Sequence, residues 1–163
     1  LAGSKAPLVL AGAEPLVSIY RKISGYAHLA GPVIAGNPER SSDEELRDRA
    51  WKLLEPAFQE LRRRAAERFG ELAGTRQTSS DVAEILPAAL HGRVGTLFLA
   101  CDADLWGRLD PQEKVEIHPA PEAGDEELLN AAALFSLRQG GTVIGMDSGE
   151  VPGGAALAAI YRY

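Results

Sequence analysis

The segment Arg93-Val94-Gly95-Thr96-Leu97-Phe98-Leu99-Ala100 constrains the fold more than any other stretch of this chain. Beyond the leading arginine and one threonine it is apolar throughout, without the apolar-polar alternation of a half-exposed strand. A strand of that kind needs cover on both faces, as at the centre of an α/β sheet. It is therefore expected to be the central strand, with helices packed on both sides.

The flanking chain supplies those helices. Ser41 or Ser42 caps a helix whose first turn carries Asp43, Glu44 and Glu45, negative charge where the helix dipole favours it. Leu46, Ala50, Leu53, Leu54, Ala57, Phe58, Leu61, Ala65 and Phe69 continue it as an apolar stripe, with Gly70 and Gly74 as stops. Pro56 either bends this helix or opens a second one. Further helices are predicted over Glu14 to Ile23, over Asp81 to Leu90 before His91-Gly92, and from Asp125-Glu126-Glu127 to Arg138 before Gly140-Gly141. Strands are expected at Pro7 to Gly12, Val33 to Ala35, Thr142 to Met146 and Ala156 to Tyr163. Gly74 to Ser80 reads as turn, and Asp102 to Gly124 as a loop holding a small hairpin, Leu105 to Leu109 against Lys114 to His118. This order gives an α/β domain with helices on both faces of a sheet.

At 163 residues the chain is long enough for one domain, 1–163, whose core needs no disulfide or metal. Because it opens with Leu1 rather than methionine, it is read as part of a longer protein. No apolar run approaches the length of a membrane span, and the single cysteine, Cys101, suits a reducing cytoplasm. Net charge is -6 but uneven: residues 1–75 hold 11 basic and 10 acidic side chains, residues 76–163 hold 6 and 13. The acidic second half repels phosphate backbones, which disfavours nonspecific nucleic-acid binding by the whole surface.

Candidate chemistry is sparse. Cys101 lies beside Asp102 and Asp104 at the end of the central strand, but His28, His91 and His118 occupy separate segments and nearby aspartates disfavour a thiolate. Glu116 and His118 share a strand face and make too small a pair to hold a metal. Asp147-Ser148-Gly149-Glu150 lacks a calcium loop's spacing, and Gly149 to Gly154 lacks the lysine and helix of a phosphate cradle. Neither a metal nor a cofactor is expected. Arg62, Arg63, Arg64 and Arg68 form the one basic cluster, with Glu60 and Glu67 at ion-pairing distance along a helix. With Trp106, read as tucked onto the sheet or else an interface anchor, these arginines are the candidate partner or RNA contacts.

Two longer segments carry a resemblance. Asp81-Val82-Ala83-Glu84-Ile85-Leu86-Pro87-Ala88-Ala89-Leu90-His91-Gly92-Arg93-Val94-Gly95-Thr96-Leu97-Phe98-Leu99-Ala100 resembles the helix, glycine and strand of the C-terminal domain in archaeal and eukaryotic peptide-chain release factors and Pelota. The chain's close, Gly140-Gly141-Thr142-Val143-Ile144 and then Gly153-Gly154-Ala155-Ala156-Leu157-Ala158-Ala159-Ile160-Tyr161-Arg162-Tyr163, is similar to that domain's last two strands. The chain thus looks like a bacterial member of the archaeo-eukaryotic release factor family. The resemblance implies a three-layer α/β/α sandwich with a mostly buried mixed sheet, similar to kink-turn RNA-binding ribosomal proteins. It also implies a noncatalytic domain that docks partners, the ribosome or a translational GTPase, while peptide release belongs to a Gly-Gly-Gln loop in another domain. This chain has no Gly-Gly-Gln. The RNA-binding cousins carry Gly-x-Asn-Glu and a lysine where this chain has Ser79-Ser80-Asp81-Val82-Ala83-Glu84, so kink-turn binding is not expected. Paired cysteines of some archaeal relatives are also missing from residues 102–124, against a zinc site.

The expected function is a noncatalytic binding domain of a ribosome-associated, release-factor-like protein in termination, rescue or hibernation. The alternatives are a small-molecule hydrolase using the acidic loop 102–110 and a self-association module.

Overall fold

A computed structural model describes residues 6–163. Leu1, on which the reading of a longer chain rests, lies outside the described residues. The chain divides into two compact units between Leu61 and Arg62.

In the first unit β1 (Leu8–Gly12), α1 (Glu14–Ile23) and β2 (Leu29–Ala35) form a β-α-β arrangement whose strands pair in parallel, Leu10 opposite Val33 and Gly12 opposite Ala35. The expected strand at Val33 to Ala35 is thus longer, beginning at Leu29. A 3-10 turn over Pro38–Arg40, capped by Asn37, leads to α2 (Asp43–Glu71). Ser42, not Ser41, is its cap. Its Oγ accepts from the Glu45 amide at 3.2 Å, and Glu45 Oε2 accepts from the Ser42 amide at 3.2 Å, a reciprocal capping box. The helix continues through Pro56 as one element, so Pro56 opens no second helix.

The second unit contains the four-stranded sheet. Its strands are β3 (Thr78–Ser79), β4 (Val94–Ala100), β8 (Thr142–Met146) and β9 (Leu157–Tyr161), in the order β3-β9-β4-β8. The predicted central strand β4 is indeed flanked on both sides, antiparallel to β9 and parallel to β8. Helices α3 (Val82–Leu90) and α4 (Leu128–Arg138) cover one face, where Ile85, Leu86, Leu97 and Leu128 have no exposed surface. On the other face Phe98, Ala100, Ile144, Met146 and Ala158 meet Ala65 and Phe69 from the last turns of α2. The rings of Phe69 and Phe98 pack edge to face, with centroids 6.0 Å apart. Helix, sheet and helix therefore form the expected three layers. Each fully buried large side chain here contributes about 1.5–3 kcal/mol.

One irregularity explains why the residues facing α3 and α4 do not simply alternate along β4. The register with β9 slips between Val94 and Thr96, so Val94 and Leu97, three apart, reach the same core. Gly95 fills the bulge, where an added Cβ would sit 3.3 Å from Arg162 Cγ and 3.4 Å from the Ile160 carbonyl.

The hairpin expected between residues 102 and 124 forms as β5 (Trp106–Leu109) and β6 (Val115–His118), pairing Trp106 with His118 and Leu109 with Val115. Its turn has Asp110 first, Pro111 second and Glu113 fourth, and the Glu113 amide donates to the Asp110 carbonyl at 2.9 Å. The expected helix start at Asp125 moves. Glu126–Glu127 pair with β5 as β7, and Glu127 becomes the cap of α4, accepting from the amides of Leu129 and Asn130. Asp125 is drawn instead to Arg108 and His118, whose charges hold it more firmly than a helix terminus would. The segment read as turn before Ser80 contributes β3, only two residues long and held by its pairing with Ala159 and Ile160.

Candidate functional site

A groove of about 650 Å³, lined largely by polar and charged side chains, lies beside β3, the edge strand of the sheet. Helix α3 turns Ala83, Glu84, Pro87 and Ala88 into it, at the three- and four-residue spacing of one helical face. The helix is fixed by Asp81, whose Oδ1 accepts from the Ala83 amide at 2.9 Å. Arg76 enters from the approach to β3, and Arg93 and Tyr161 from the paired ends of β4 and β9. The Arg93 guanidinium lies 5.5 Å from the Tyr161 ring centroid, a cation-π contact. Burial raises the Tyr161 pKa above its usual value, so its hydroxyl stays protonated.

Two carboxylates border the groove, and each is engaged. Glu84 accepts from Ser79 Oγ at 2.6 Å, and Glu113 meets His91 Nε2 at 2.7 Å. Among the described residues, neither Arg76 nor Arg93 has a carboxylate within ion-pair distance. Glu113 is also the one non-glycine among the described residues with positive φ, 65°. It takes the last place in the hairpin loop, where the left-handed conformation ordinarily selects glycine.

A second constellation holds the base of the hairpin. Asp125, its side chain 1% exposed, accepts from Arg108 Nε at 2.8 Å and pairs with His118 Nδ1 at 2.8 Å. The Glu122 amide adds a third bond at 2.9 Å. Burial opposes ionisation of Asp125 most strongly, but the bonds from His118, the Glu122 amide and Arg108 together hold its pKa down at about 2. The bond to Asp125 raises the pKa of His118 against the effect of desolvation. Sequence reasoning placed His118 beside Glu116; the fold pairs it with Asp125.

The residues singled out in the sequence do not come together in one place. In the basic cluster Arg63 pairs with Glu67, as the helical spacing indicated, and Arg68 with Glu71 at 2.9 Å. Arg62 is half-buried on the same stretch of α2. Trp106 is half-buried in β5, the first strand of the expected hairpin, flanked by His118 on one side and Glu127 on the other. In the acidic loop, Asp102 accepts from the Ser148 hydroxyl and amide, which lower its pKa. No histidine among the described residues bonds to it. Cys101 is exposed beside Gly145, where an added Cβ would come within 2.6 Å of its Sγ.

The groove escaped sequence reading because its walls come from residues scattered between positions 75 and 161. One local sign was present: Asp110-Pro111 announces a turn whose last loop place falls on a glutamate.

The first unit has its own cavity, about 500 Å³, between α1 and the ends of β1 and β2. Leu10, Leu16, Val17, Tyr20 and Pro38 give it an apolar lining. No described helix is long and apolar enough to cross a membrane.

Comparison with solved structures finds the C-terminal domain of a peptide chain release factor from Methanosarcina mazei, at a TM-score of 0.56 and 14% identity, over 76% of this chain and 97% of that one. At that identity the likeness is one of fold. Pelota from Archaeoglobus fulgidus aligns at a TM-score of 0.47 and 16% identity, over 96% of this chain and 49% of that one. No curated protein matches the sequence. The model of bacterial archaeo-eukaryotic release factor family 3 matches residues 1–93, more than half the chain. The chain belongs to that family.

Proposed function

We propose that this chain is a noncatalytic docking domain of a ribosome-associated translation factor, acting in termination, rescue or hibernation in the bacterial cytoplasm. The observation that carries this reading is the family match over residues 1–93. The fold likeness to a release factor's C-terminal domain supports it. The partner is the ribosome or a translational GTPase, and Arg62, Arg63, Arg64, Arg68 and Trp106 are the proposed contacts. The engagement of Asp102 by Ser148 gives the hydrolase alternative no support.

Cosedimentation with bacterial ribosomes over a salt series tests the reading. Retention at low salt, lost as salt rises, is the expected result, because phosphate contacts release counterions. Failure to sediment at low salt, both with and without translational GTPases, removes the translation role and leaves only the fold.

A further inference from the structure

The groove beside β3 combines two features that ordinary ion-paired surfaces lack. Arg76 and Arg93 face it with no carboxylate partner among the described residues, although residues 76–163 carry 13 acidic side chains. Ala83 and Pro87, with the nearly buried Ala88, give the groove an apolar wall on α3. A guanidinium presents a planar fork of donors that fits a phosphate or carboxylate, and it also stacks on flat rings. A volume of about 650 Å³ suits a ligand of mononucleotide size.

His91 is the third donor at the groove, and in this structure Glu113 holds it. Glutamate gains nothing from the turn itself, since its positive φ is a strain that glycine would avoid. Its side chain instead reaches across to the end of α3.

We propose that this groove binds a mononucleotide group, with one phosphate on Arg76 and Arg93 and the planar base over Ala83 and Pro87, and that Glu113 competes with the phosphate for His91. A long polyanion is disfavoured because residues 76–163 carry 13 acidic side chains against 6 basic ones. The phosphate group belongs either to a free nucleotide or to the end of a strand. The inference stands apart from the ribosome-docking proposal and does not depend on it.

Calorimetric titration of the chain at fixed ionic strength tests it, with adenosine 5′-monophosphate, adenosine, inorganic phosphate and a 12-nucleotide RNA with and without a 5′-phosphate. The monophosphate is expected to bind at least 10-fold more tightly than adenosine or phosphate alone. Arg76→Ala should weaken it by about 10-fold, as loss of one charged hydrogen-bonding partner does. Glu113→Gln should tighten it several-fold, and Glu113→Gly should do the same while relieving the turn. Because Arg93 also covers Tyr161, Arg93→Lys is read only alongside an unchanged thermal unfolding curve. RNA that binds only when it carries the 5′-phosphate identifies a strand end as the source, and monophosphate binding without it identifies the free nucleotide. Equal binding of adenosine and its monophosphate, insensitivity to Arg76→Ala, weaker binding by both Glu113 variants, or RNA affinity independent of the 5′-phosphate overturns the proposal, as does the absence of any binding.

Discussion

In the second unit Ile85, Leu86, Leu97 and Phe98 are wholly buried, whereas in the first Leu16 and Ile23 of α1 remain 67% and 76% exposed. Both helices carry apolar residues at helical spacing, Leu16, Ile19, Tyr20 and Ile23 on α1 and Val82, Ile85, Leu86 and Ala89 on α3. Helix α3 finds β4, β9 and α4 to cover its stripe. Helix α1 lays Val17 towards the strands, 3.7 Å from where a Cβ on Gly12 would be, and leaves the rest of its stripe open. Periodicity therefore specifies which face of a helix is apolar and says nothing about whether anything covers it.

The strongest test of this contrast lies at the closed end. Phe98 is fully buried against Phe69 in the core formed with the last turns of α2. Phe98→Ala is expected to cost about 3–5 kcal/mol, through lost transfer energy and the cavity left behind. Chemical denaturation with unchanged m-value measures it. A loss below ~1 kcal/mol would mean that this core is as loosely covered as α1.

The hairpin base is the next largest effect, and its signature is a pH profile. The pKa of His118 is raised above its ordinary value of 6.5, so its contribution is complete below that pH and is lost as pH rises through the folded value. That of Asp125 is depressed from 3.8 to about 2, so its contribution is present above 3.8 and is lost as pH falls towards 2. The pair therefore stabilises most between those limits. Asp125→Asn should lower the melting temperature most near pH 5, and NMR titration should show the His118 pKa falling back towards its ordinary value. A variant whose melting temperature shifts equally at pH 5 and pH 9 would deny the pairing.

Much of this architecture was legible beforehand, for physical reasons that can be named. The unbroken apolar run of β4 required a central position, and the short runs Leu105 to Leu109 and Lys114 to His118, close together in the chain, could pair as a local hairpin. Local signals failed where a distant group won. Asp125 reads as the start of a helix until Arg108 and His118, from two other strands, claim its carboxylate. Strand β3 exists only through its pairing with β9, because two residues carry no periodicity. The groove was illegible for the same reason: no stretch of chain holds more than part of one wall.

A smaller effect of opposite sign is expected inside the well-packed core. Ser136 of α4 is fully buried, and its Oγ has no hydrogen-bond partner among the described residues. Removing a desolvated hydroxyl takes away its burial penalty at little loss of packing, so Ser136→Ala should stabilise by about 1 kcal/mol. Thermal and denaturant unfolding should both move upward. Destabilisation instead would reveal a bond made by this hydroxyl in solution.

The smallest effect belongs to the open face, and there a near-zero result is the informative one. Ile23 lies in the last turn of α1 with 76% of its surface exposed. A side chain in that state has little transfer energy to lose, so Ile23→Ser should change stability by no more than about 0.5 kcal/mol. The helix keeps Pro15 in its first turn, Arg21 and Lys22 in its last, and the Ser24 amide bonded to the Tyr20 carbonyl at 2.8 Å, none of which the substitution touches. Unfolding should be followed together with molar mass at several protein concentrations. A drop of several degrees that deepens on dilution would show a second copy covering the stripe, since association stabilises by mass action. A concentration-independent drop would place the cover within the chain itself, and in either case the two units would no longer differ in the way their exposed residues indicate.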